Sequence, residues 1–379
     1  MIAATIISSR LVSTRFKAIR TFLSVSLFGI GLVGIAPMPA LAASFNTMGS
    51  MNAARQYHTA TLLANGEVLV TGGDNSAGGD RLASAELYNP ATGNWTFTGS
   101  MTVPRAKHDA VLLQNGQVLV AGGYSTLPGS LASAELYNPV TGTWTATGSM
   151  TTGRADFLMI LLPNGEVLAA GDAGTSTSAE LYNPATGTWT ATGSMMSQEF
   201  GDAVVLLQNG EVYSPSINLY NPSTGSWTTT SSPPVGGSAP IALLPNGDVW
   251  TAGGVQGESL YNPSTNQWTT FAPPPCTTTA QNCQSAAATL DTGKVLVAGG
   301  ITLVPRPYPQ QPLEETNGLA ALFDPSTLTW RKTSSMKESR SGETMTVLLN
   351  GQVLVAGGET FDTHVGHLVP IASAELYTP

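Results

Sequence analysis

The chain has few cysteines, few charged residues and few basic residues, and each shortage excludes a class of protein. Only two of its 379 residues are cysteine, which excludes a disulfide-dense scaffold and a zinc module held by several thiolates. Charged residues make up 10% of the sequence and give a net charge of −9. Nucleic-acid binding requires a basic surface, so this charge argues against a nucleic-acid partner. The sequence also has no phosphate-binding glycine loop and no nucleophile elbow.

The first 42 residues have the pattern of an export signal. Residues 1–20 carry basic residues and no acid, and residues 21–35 form an apolar run. This run is shorter than a membrane-spanning helix needs but has the length of the hydrophobic part of a signal peptide. Ala40-Leu41-Ala42 then supplies small residues for cleavage before Ala43. We predict that residues 1–42 are a signal peptide and that the protein is secreted, periplasmic or extracellular; retention as an uncleaved anchor remains open.

A repeat of about 48 residues fills the rest of the chain. The text LLANGEVLVTGG at residues 62–73 returns six times in closely related form, so the repeat starts seven times. A tryptophan follows an Asn-Pro or Asp-Pro turn in six of the copies, at Trp95, Trp144, Trp189, Trp227, Trp268 and Trp330.

Each repeat has the turn signals of four short strands. An Asn-Gly turn joins the first two strands, a glycine pair follows the second, and Asn-Pro precedes the strand that carries tryptophan. Four strands in 40 to 50 residues are typical of a propeller blade. The seventh repeat ends before its fourth strand, and residues 45–51 align with residues 95–101. We therefore predict an all-β, seven-bladed propeller over residues 43–379, closed by the N-terminal strand.

The repeat resembles the kelch motif. It shares the glycine pair, the spaced tyrosine and tryptophan, and an Arg-x-x-His start at Arg55–His58 and Arg105–His108. The chain looks most like exported bacterial kelch propellers and is distantly similar to the propeller domain of galactose oxidase. This resemblance implies the fold and leaves the function open, because one fold hosts many activities. Repeats three and four depart from the motif, with Gly171-Asp172 and Ser214-Pro215-Ser216 in place of the glycine pair.

Chain direction places the variable loops on one face of the propeller. The loop after each glycine pair lies on the same face as the start of the first strand, and we call this the long-loop face. Its longest loops are residues 301–318 in repeat six and 359–371 in repeat seven, followed by those of repeats one and two. These four repeats are neighbours in a closed ring, which predicts a binding crescent. Free drift of loop length in a tolerant scaffold is the alternative.

The predicted binding residues are the arginines that open first strands and the four histidines: Arg55, His58, Arg105, His108, Arg154, Arg340, His364 and His367. We predict no cofactor and no metal. His58, His364 and His367 would offer three imidazoles to copper or zinc, but the repeat position of His58 favours a structural role. Asp202 and Glu343 occupy the position of His58 in other repeats, where channel lining is a more economical interpretation than sugar chemistry.

Cys276 and Cys283 are six residues apart in a loop rich in proline and threonine. In an exported chain this spacing predicts a local disulfide, which would leave neither cysteine for the tyrosine crosslink of galactose oxidase.

Together these features predict an exported, non-catalytic binding module for a protein or glycan at the cell exterior. We expect a monomer with no nucleic-acid partner and no membrane span after cleavage. The alternative is a carbohydrate-active enzyme, an oxidase, lyase or sugar epimerase, that uses the same face.

Overall fold

Strand boundaries follow the turn residues of the repeat. In the first repeat Asn65-Gly66 turns the chain between two strands, and Gly66 has a φ of 88°, a conformation that side chains disfavour. The next four residues, Val68–Thr71, are all buried, and the strand ends at the glycine pair. A strand buried on both faces is expected to be a continuous run of apolar residues, and Val68, Leu69 and Val70 form that run before Thr71.

The computed structural model describes residues 43–76, 80–126, 128–172, 176–197, 204–214, 218–234, 238–252, 257–278, 286–305 and 313–379. The predicted signal peptide, Asp202 and Cys283 lie outside these ranges. No helix in the described part of the chain is long and apolar enough to cross a membrane.

Seven four-stranded antiparallel sheets form the blades, and the described residues contain no α-helix. Blade 1 is β2 (Thr59–Leu62), β3 (Val68–Thr71), β4 (Ala85–Asn89) and β5 (Asn94–Phe97). Blade 2 is β6 (Asp109–Leu112), β7 (Val118–Ala121), β8 (Ala134–Asn138) and β9 (Thr143–Thr147). Blade 3 is β10 (Leu158–Leu161), β11 (Val167–Asp172), β12 (Ser176–Asn183) and β13 (Thr188–Thr192). Blade 4 is β14 (Val205–Leu206), β15 (Val212–Tyr213), β16 (Asn218–Asn221) and β17 (Ser226–Thr229). Blade 5 is β18 (Ser238–Leu243), β19 (Val249–Ala252), β20 (Glu258–Asn262) and β21 (Gln267–Phe271).

Blade 6 is β22 (Ala286–Thr289), β23 (Val295–Val304), β24 (Leu313–Asp324) and β25 (Thr329–Lys332). Blade 7 is β26 (Thr344–Val347), β27 (Val353–Ala356), β30 (Ala374–Thr378) and the N-terminal β1 (Ser44–Thr47). A separate hairpin, β28 (Glu359–Asp362) with β29 (His367–Pro370), stands in the loop of blade 7. The prediction of an all-β, seven-bladed propeller is confirmed.

The N-terminal strand is the outer strand of blade 7. β1 pairs antiparallel with β30, and Phe45 lies opposite Tyr377 with ring centroids 4.9 Å apart. The Tyr88–Trp95 pair in blade 1 has nearly the same spacing, 5.0 Å, so Phe45 takes the tryptophan position. At the inner end, β2 of blade 1 contacts β26 of blade 7, and blades 1 and 7 are therefore direct neighbours.

The aromatic residues of the repeat pack between sheets and join neighbouring blades. The indole Nε1 of Trp144 donates to the carbonyl of Gly99 in the preceding blade at 2.7 Å, and Trp189 does the same to Gly148 at 2.8 Å. The hydroxyl of Tyr137 is hydrogen-bonded to Thr98 at 2.8 Å across the same boundary. Tyr137 and the tyrosines at the same position in other blades are buried, so the repeated aromatic residues pack between blades.

The first glycine of each pair makes room for the next blade. A Cβ on Gly357 would lie 2.6 Å from Cε1 of His58 and 2.7 Å from the carbonyl oxygen of Arg55. Gly72 faces His108 in the same way, at 2.6 Å. The glycine pair is thus required by the close approach of neighbouring blades as well as by its positive φ.

Replacement of Gly357 should measure this close approach. Gly116→Ala is the control, because Gly116 has a φ of 84° and no atom within 4 Å of its would-be Cβ. The control should cost about 1 kcal/mol for a left-handed alanine. Gly357→Ala should cost about 1–3 kcal/mol more, because the blade boundary is overpacked. Urea unfolding measures both values, and equal losses would contradict tight contact between blades 7 and 1.

Candidate functional site

Four predicted binding arginines are buried beneath the long-loop face. Arg55 is fully buried, with Nη2 2.8 Å from Oε1 of Glu86. Its Nη1 donates to the carbonyls of Gly72 and Ser84 at 2.8 and 3.0 Å. The same arrangement joins Arg105 to Glu135, Arg154 to Glu180 and Arg340 to Glu375, at 3.0 to 3.2 Å. These guanidinium groups hold the blade together and are not exposed for direct contact with a ligand.

Each glutamate of these pairs also holds the segment that leads into its blade. Glu86 accepts the backbone amides of Asn52 and Ala53 at 2.7 and 3.1 Å. For Glu180, burial alone would raise the pKa, but hydrogen bonds from Thr151 and Arg154 outweigh burial and lower it. The carboxylate is therefore held in its charged form, and the buried ion pair is complete.

Blade 4 shows that the two functions of the glutamate are separable. Asn218 occupies the glutamate position there and is fully buried. Its Oδ1 accepts the backbone amides of Met196 and Ser197 at 2.9 and 3.2 Å, as a glutamate does in the other blades. Repeat four has no arginine at the position of Arg55, so a glutamate here would have no cation to pair with. The uncharged amide of Asn218 stands in its place.

His58 and His108 are also internal. Nε2 of His58 is hydrogen-bonded to Oγ1 of Thr344 in blade 7 at 3.1 Å. Nε2 of His108 lies 3.1 Å from Oγ1 of Thr59 and 3.2 Å from Oγ1 of Thr71, both in blade 1. Burial, reinforced by the charge of Arg55, lowers the pKa of His58 to about 3. Both histidines tie adjacent blades together as neutral rings.

The remaining predicted histidines lie on the long-loop face, at the β28–β29 hairpin. His364 is exposed at the tip, where its backbone amide donates to Oδ1 of Asp362 at 2.7 Å. His367 is exposed at the start of β29. The described residues contain no group of three His, Cys, Asp or Glu side chains placed to hold a metal ion. The imidazoles of His58, His364 and His367 therefore do not form one site.

Cys276 is buried and disulfide-bonded. Cys283, its predicted partner and the only other cysteine in the sequence, lies outside the described residues.

A rim of left-handed residues surrounds part of the inner edge of the long-loop face. The residue that precedes the His58 position has a positive φ in four blades: Tyr57 at 55°, Lys107 at 56°, Asp156 at 47° and Gly342 at 65°. A backbone hydrogen bond runs from Lys107 N to Tyr57 O at 3.0 Å, and another from Asp156 N to Lys107 O at 3.1 Å. Three of these positions carry side chains despite a cost of about 1 kcal/mol each.

The rim side chains interact with one another. Nζ of Lys107 lies 2.8 Å from Oδ2 of Asp156 and 4.8 Å from the ring centroid of Tyr57. Tyr57 is 42% exposed, and burial together with the charge of Glu359 raises the pKa of its hydroxyl. The rim therefore places the ring of Tyr57, the ammonium group of Lys107 and the carboxylate of Asp156 next to one another.

Two hairpins extend beyond the blades next to this rim. β23 and β24 continue past the glycine pair of blade 6, with Val304 paired to Leu313 at the far end of the described ladder. Oγ1 of Thr316 on β24 is 3.2 Å from Oγ1 of Thr360 and accepts the backbone amide of Phe361 at 3.2 Å. The loops predicted to be long in blades 6 and 7 therefore support one another.

A groove lies between these hairpins and blade 1. It is an open depression with a volume of about 440 Å³. Its lining residues are Gln56, Leu313, Glu314, Glu359, Phe361, Gly366, His367 and Leu368. Of the eight predicted binding residues, His367 lines this groove. The other seven lining residues were not predicted individually, but all except Gln56 lie in the two loops predicted to be longest, residues 301–318 and 359–371. The alternation of Glu359-Thr360-Phe361-Asp362 and the turn at Gly366 are sequence signals of the hairpin.

Comparison with known proteins agrees with this architecture. A family model described as the Kelch motif matches residues 57–102 and 110–151. The copper complex of a fungal alcohol oxidase of the AA5 family superposes with a TM-score of 0.68 at 18% identity, over 89% of this chain and 76% of the oxidase. The chain is a kelch-repeat β-propeller.

YjhT is a second solved structure similar to this kelch propeller. Its TM-score is 0.53 at 13% identity, over 87% of this chain and 96% of YjhT. No curated protein matches the chain by sequence. Identities this low show a shared fold and carry no activity from either structure to this chain.

The copper of the oxidase does not fit the residues of this kelch propeller. Cys276 is disulfide-bonded, and His58 and His108 are buried with Nε2 hydrogen-bonded to threonine hydroxyls.

The buried histidines should make stability depend on pH. His58 has a pKa of about 3 when folded and 6.5 when unperturbed, so between these values the unfolded chain binds a proton that the folded chain does not. The free energy of unfolding should therefore fall as the pH falls. From about pH 6 to pH 5, His58 should account for a loss of about 1 kcal/mol.

His58→Phe is the matched variant, because Phe157 occupies this position in blade 3 and packs against Gly122. The variant should lose about 1 kcal/mol less than the natural protein over the same interval, measured by urea unfolding at each pH. Equal pH dependence in both proteins would contradict a neutral, buried His58.

Proposed function

We propose that this kelch propeller is an exported, non-catalytic binding module for a protein or glycan. The ligand binds the long-loop face, over the loops of blades 6, 7, 1 and 2. The observation that carries the proposal is the groove between the β23–β24 and β28–β29 hairpins, which opens beside the rim of Tyr57, Lys107 and Asp156. The export signal at residues 1–42 would place this face at the cell exterior.

The scaffold beneath the face supports binding through a preformed surface. Four buried Arg–Glu pairs and two interblade histidines underlie the sector that carries the rim, the groove and its hairpins. A rigid scaffold that presents variable loops loses little conformational entropy on binding.

A carbohydrate-active enzyme on the same face is the alternative function. The buried, neutral histidines and internally paired arginines supply neither an acid–base pair nor an oxyanion clamp to the surface. The test below includes product formation so that this alternative is decided directly.

The test compares two phenylalanine variants of the purified protein on a glycan array and a peptide array, with and without EDTA. Phe361→Ala removes an aromatic side chain from the groove. Phe97→Ala is the matched control, because Phe97 is exposed on the outer strand of blade 1. Binding of the selected ligand should survive EDTA, weaken about tenfold in Phe361→Ala and stay unchanged in Phe97→Ala.

Chemical conversion of any bound glycan, followed by mass spectrometry, would contradict the non-catalytic proposal. Equal loss of binding in both variants would contradict the location on the long-loop face.

A further inference from the structure

Among the described residues, the lining of the groove combines apolar and acidic side chains with one histidine, His367, and no lysine or arginine. Phe361 and Leu368 lie directly opposite each other across the β28–β29 hairpin, and Leu313 adds a third apolar side chain from β24. Cross-strand apolar pairs of this kind form a continuous contact surface. The acids are Glu359 on β28 and Glu314 on β24.

Both glutamates line the groove, and the charge of Glu314 acts on Glu359. Burial, together with the charge of Glu314, raises the pKa of Glu359, even though a hydrogen bond from Ser341 lowers it. Two carboxylates that repel each other are stabilised by a cation placed near both. The groove is therefore complementary to a positive charge.

Three basic side chains that the structure describes near this face already have acidic partners of their own. Lys107 is paired with Asp156, Arg81 with Asp74 at 3.6 Å, and Arg340 with Glu375. Asp362 beside the groove accepts from His364. A lysine or arginine side chain of a bound molecule would neutralise Glu314 and Glu359 in this arrangement.

The shape of the groove favours an extended chain. It is open to solvent and lined by residues of two β-hairpins, with Gln56 of blade 1 also in the lining. In an extended peptide, neighbouring side chains point to opposite sides, so basic and apolar residues can face different walls. Leu303, paired with Glu314 and 39% exposed, adds apolar surface beside the acidic wall.

We infer that this groove binds a basic, amphipathic peptide segment of a protein partner. A Lys or Arg side chain lies between Glu314 and Glu359, and an adjacent apolar side chain packs on Phe361 and Leu368. A neutral glycan could donate hydroxyl hydrogen bonds to the same carboxylates, but it would not supply the positive charge that a Lys or Arg side chain brings between them. The inference deepens the proposed function and rests on it.

The probe is a short fluorescein-labelled peptide in which leucine and lysine alternate. Matched peptides carry glutamate or serine in place of lysine. Fluorescence anisotropy with the purified protein should show binding of the lysine peptide at least about tenfold tighter than binding of either matched peptide.

The decisive comparison is between two double variants that remove equal charge. Glu314→Gln with Glu359→Gln neutralises the groove. Glu166→Gln with Glu211→Gln neutralises two Asn-Gly turns on the opposite face, where blades 2 and 7 already have Gln117 and Gln352 at the same position. The groove variant should weaken binding of the lysine peptide about tenfold, and the turn variant less than about twofold.

Equal weakening in both double variants would overturn the inference, because it would show attraction to net negative charge alone. Absence of lysine-peptide binding would also overturn it. If glycan binding then persisted and remained sensitive to Phe361→Ala, the proposed function would stand without this inference. If no ligand of either class bound, the proposed function would fail as well.

Discussion

The buried arginine–glutamate pair is the interaction on which the long-loop face depends. In blades 1, 2, 3 and 7 a guanidinium group without solvent exposure bridges a strand carboxylate and the carbonyl of the first glycine position. Removing two charges from water is costly, and the cost is offset only when both ions are paired and hydrogen-bonded. The backbone carbonyl of each of these arginines also accepts a hydrogen bond from the second glycine position of the preceding blade. For example, the amide of Gly73 donates to the carbonyl of Arg105 at 2.9 Å.

This interaction divides the ring into two parts. Blades 4, 5 and 6 have Asn218, Ser259 and Ala321 where the others have glutamate. The arginine disappears from the sequence in the same three repeats. Each of the four blades that keep the pair has a left-handed rim residue, Tyr57, Lys107, Asp156 or Gly342; the equivalent positions of blades 4 and 6 lie outside the described residues. The buried Arg–Glu pair fixes the segment that leads into each of these four blades. A strained backbone conformation at the rim can then persist, because the surrounding structure determines it. The proposed binding surface accordingly lies over blades 7, 1 and 2, which have the ion pair, and over the hairpin that blade 6 extends toward them.

Much of the fold was predictable because its signals are local. Asn-Gly turns, glycine pairs and recurring tryptophans fall within a few residues of the strands that they delimit, and they predicted seven blades. The role of the arginines was not predictable from the same local pattern. Arg55 meets Glu86 across 31 residues of chain, and a charged residue at the start of a strand reads as exposed when its partner is not considered.

The groove was harder to predict for a related reason. Its walls come from two loops that are far apart in sequence, and β28–β29 was treated as part of a loop. Only the joint loss of arginine and glutamate in repeats four to six indicated, within the sequence itself, that the two residues are coupled. Side chains that meet across blade boundaries, such as His58 and Thr344, leave no such local signal.

A double-mutant cycle on Arg154 and Glu180 tests the central claim most directly. Arg154→Met and Glu180→Asn alone should each lower the free energy of unfolding by about 3–5 kcal/mol, because each leaves a buried group without its partner. The double variant reproduces the uncharged arrangement of blade 4, with asparagine accepting the backbone amides, and should cost much less than the sum of the two. Small, additive losses of less than about 1 kcal/mol each would contradict the claim, because they are the values of an exposed ion pair.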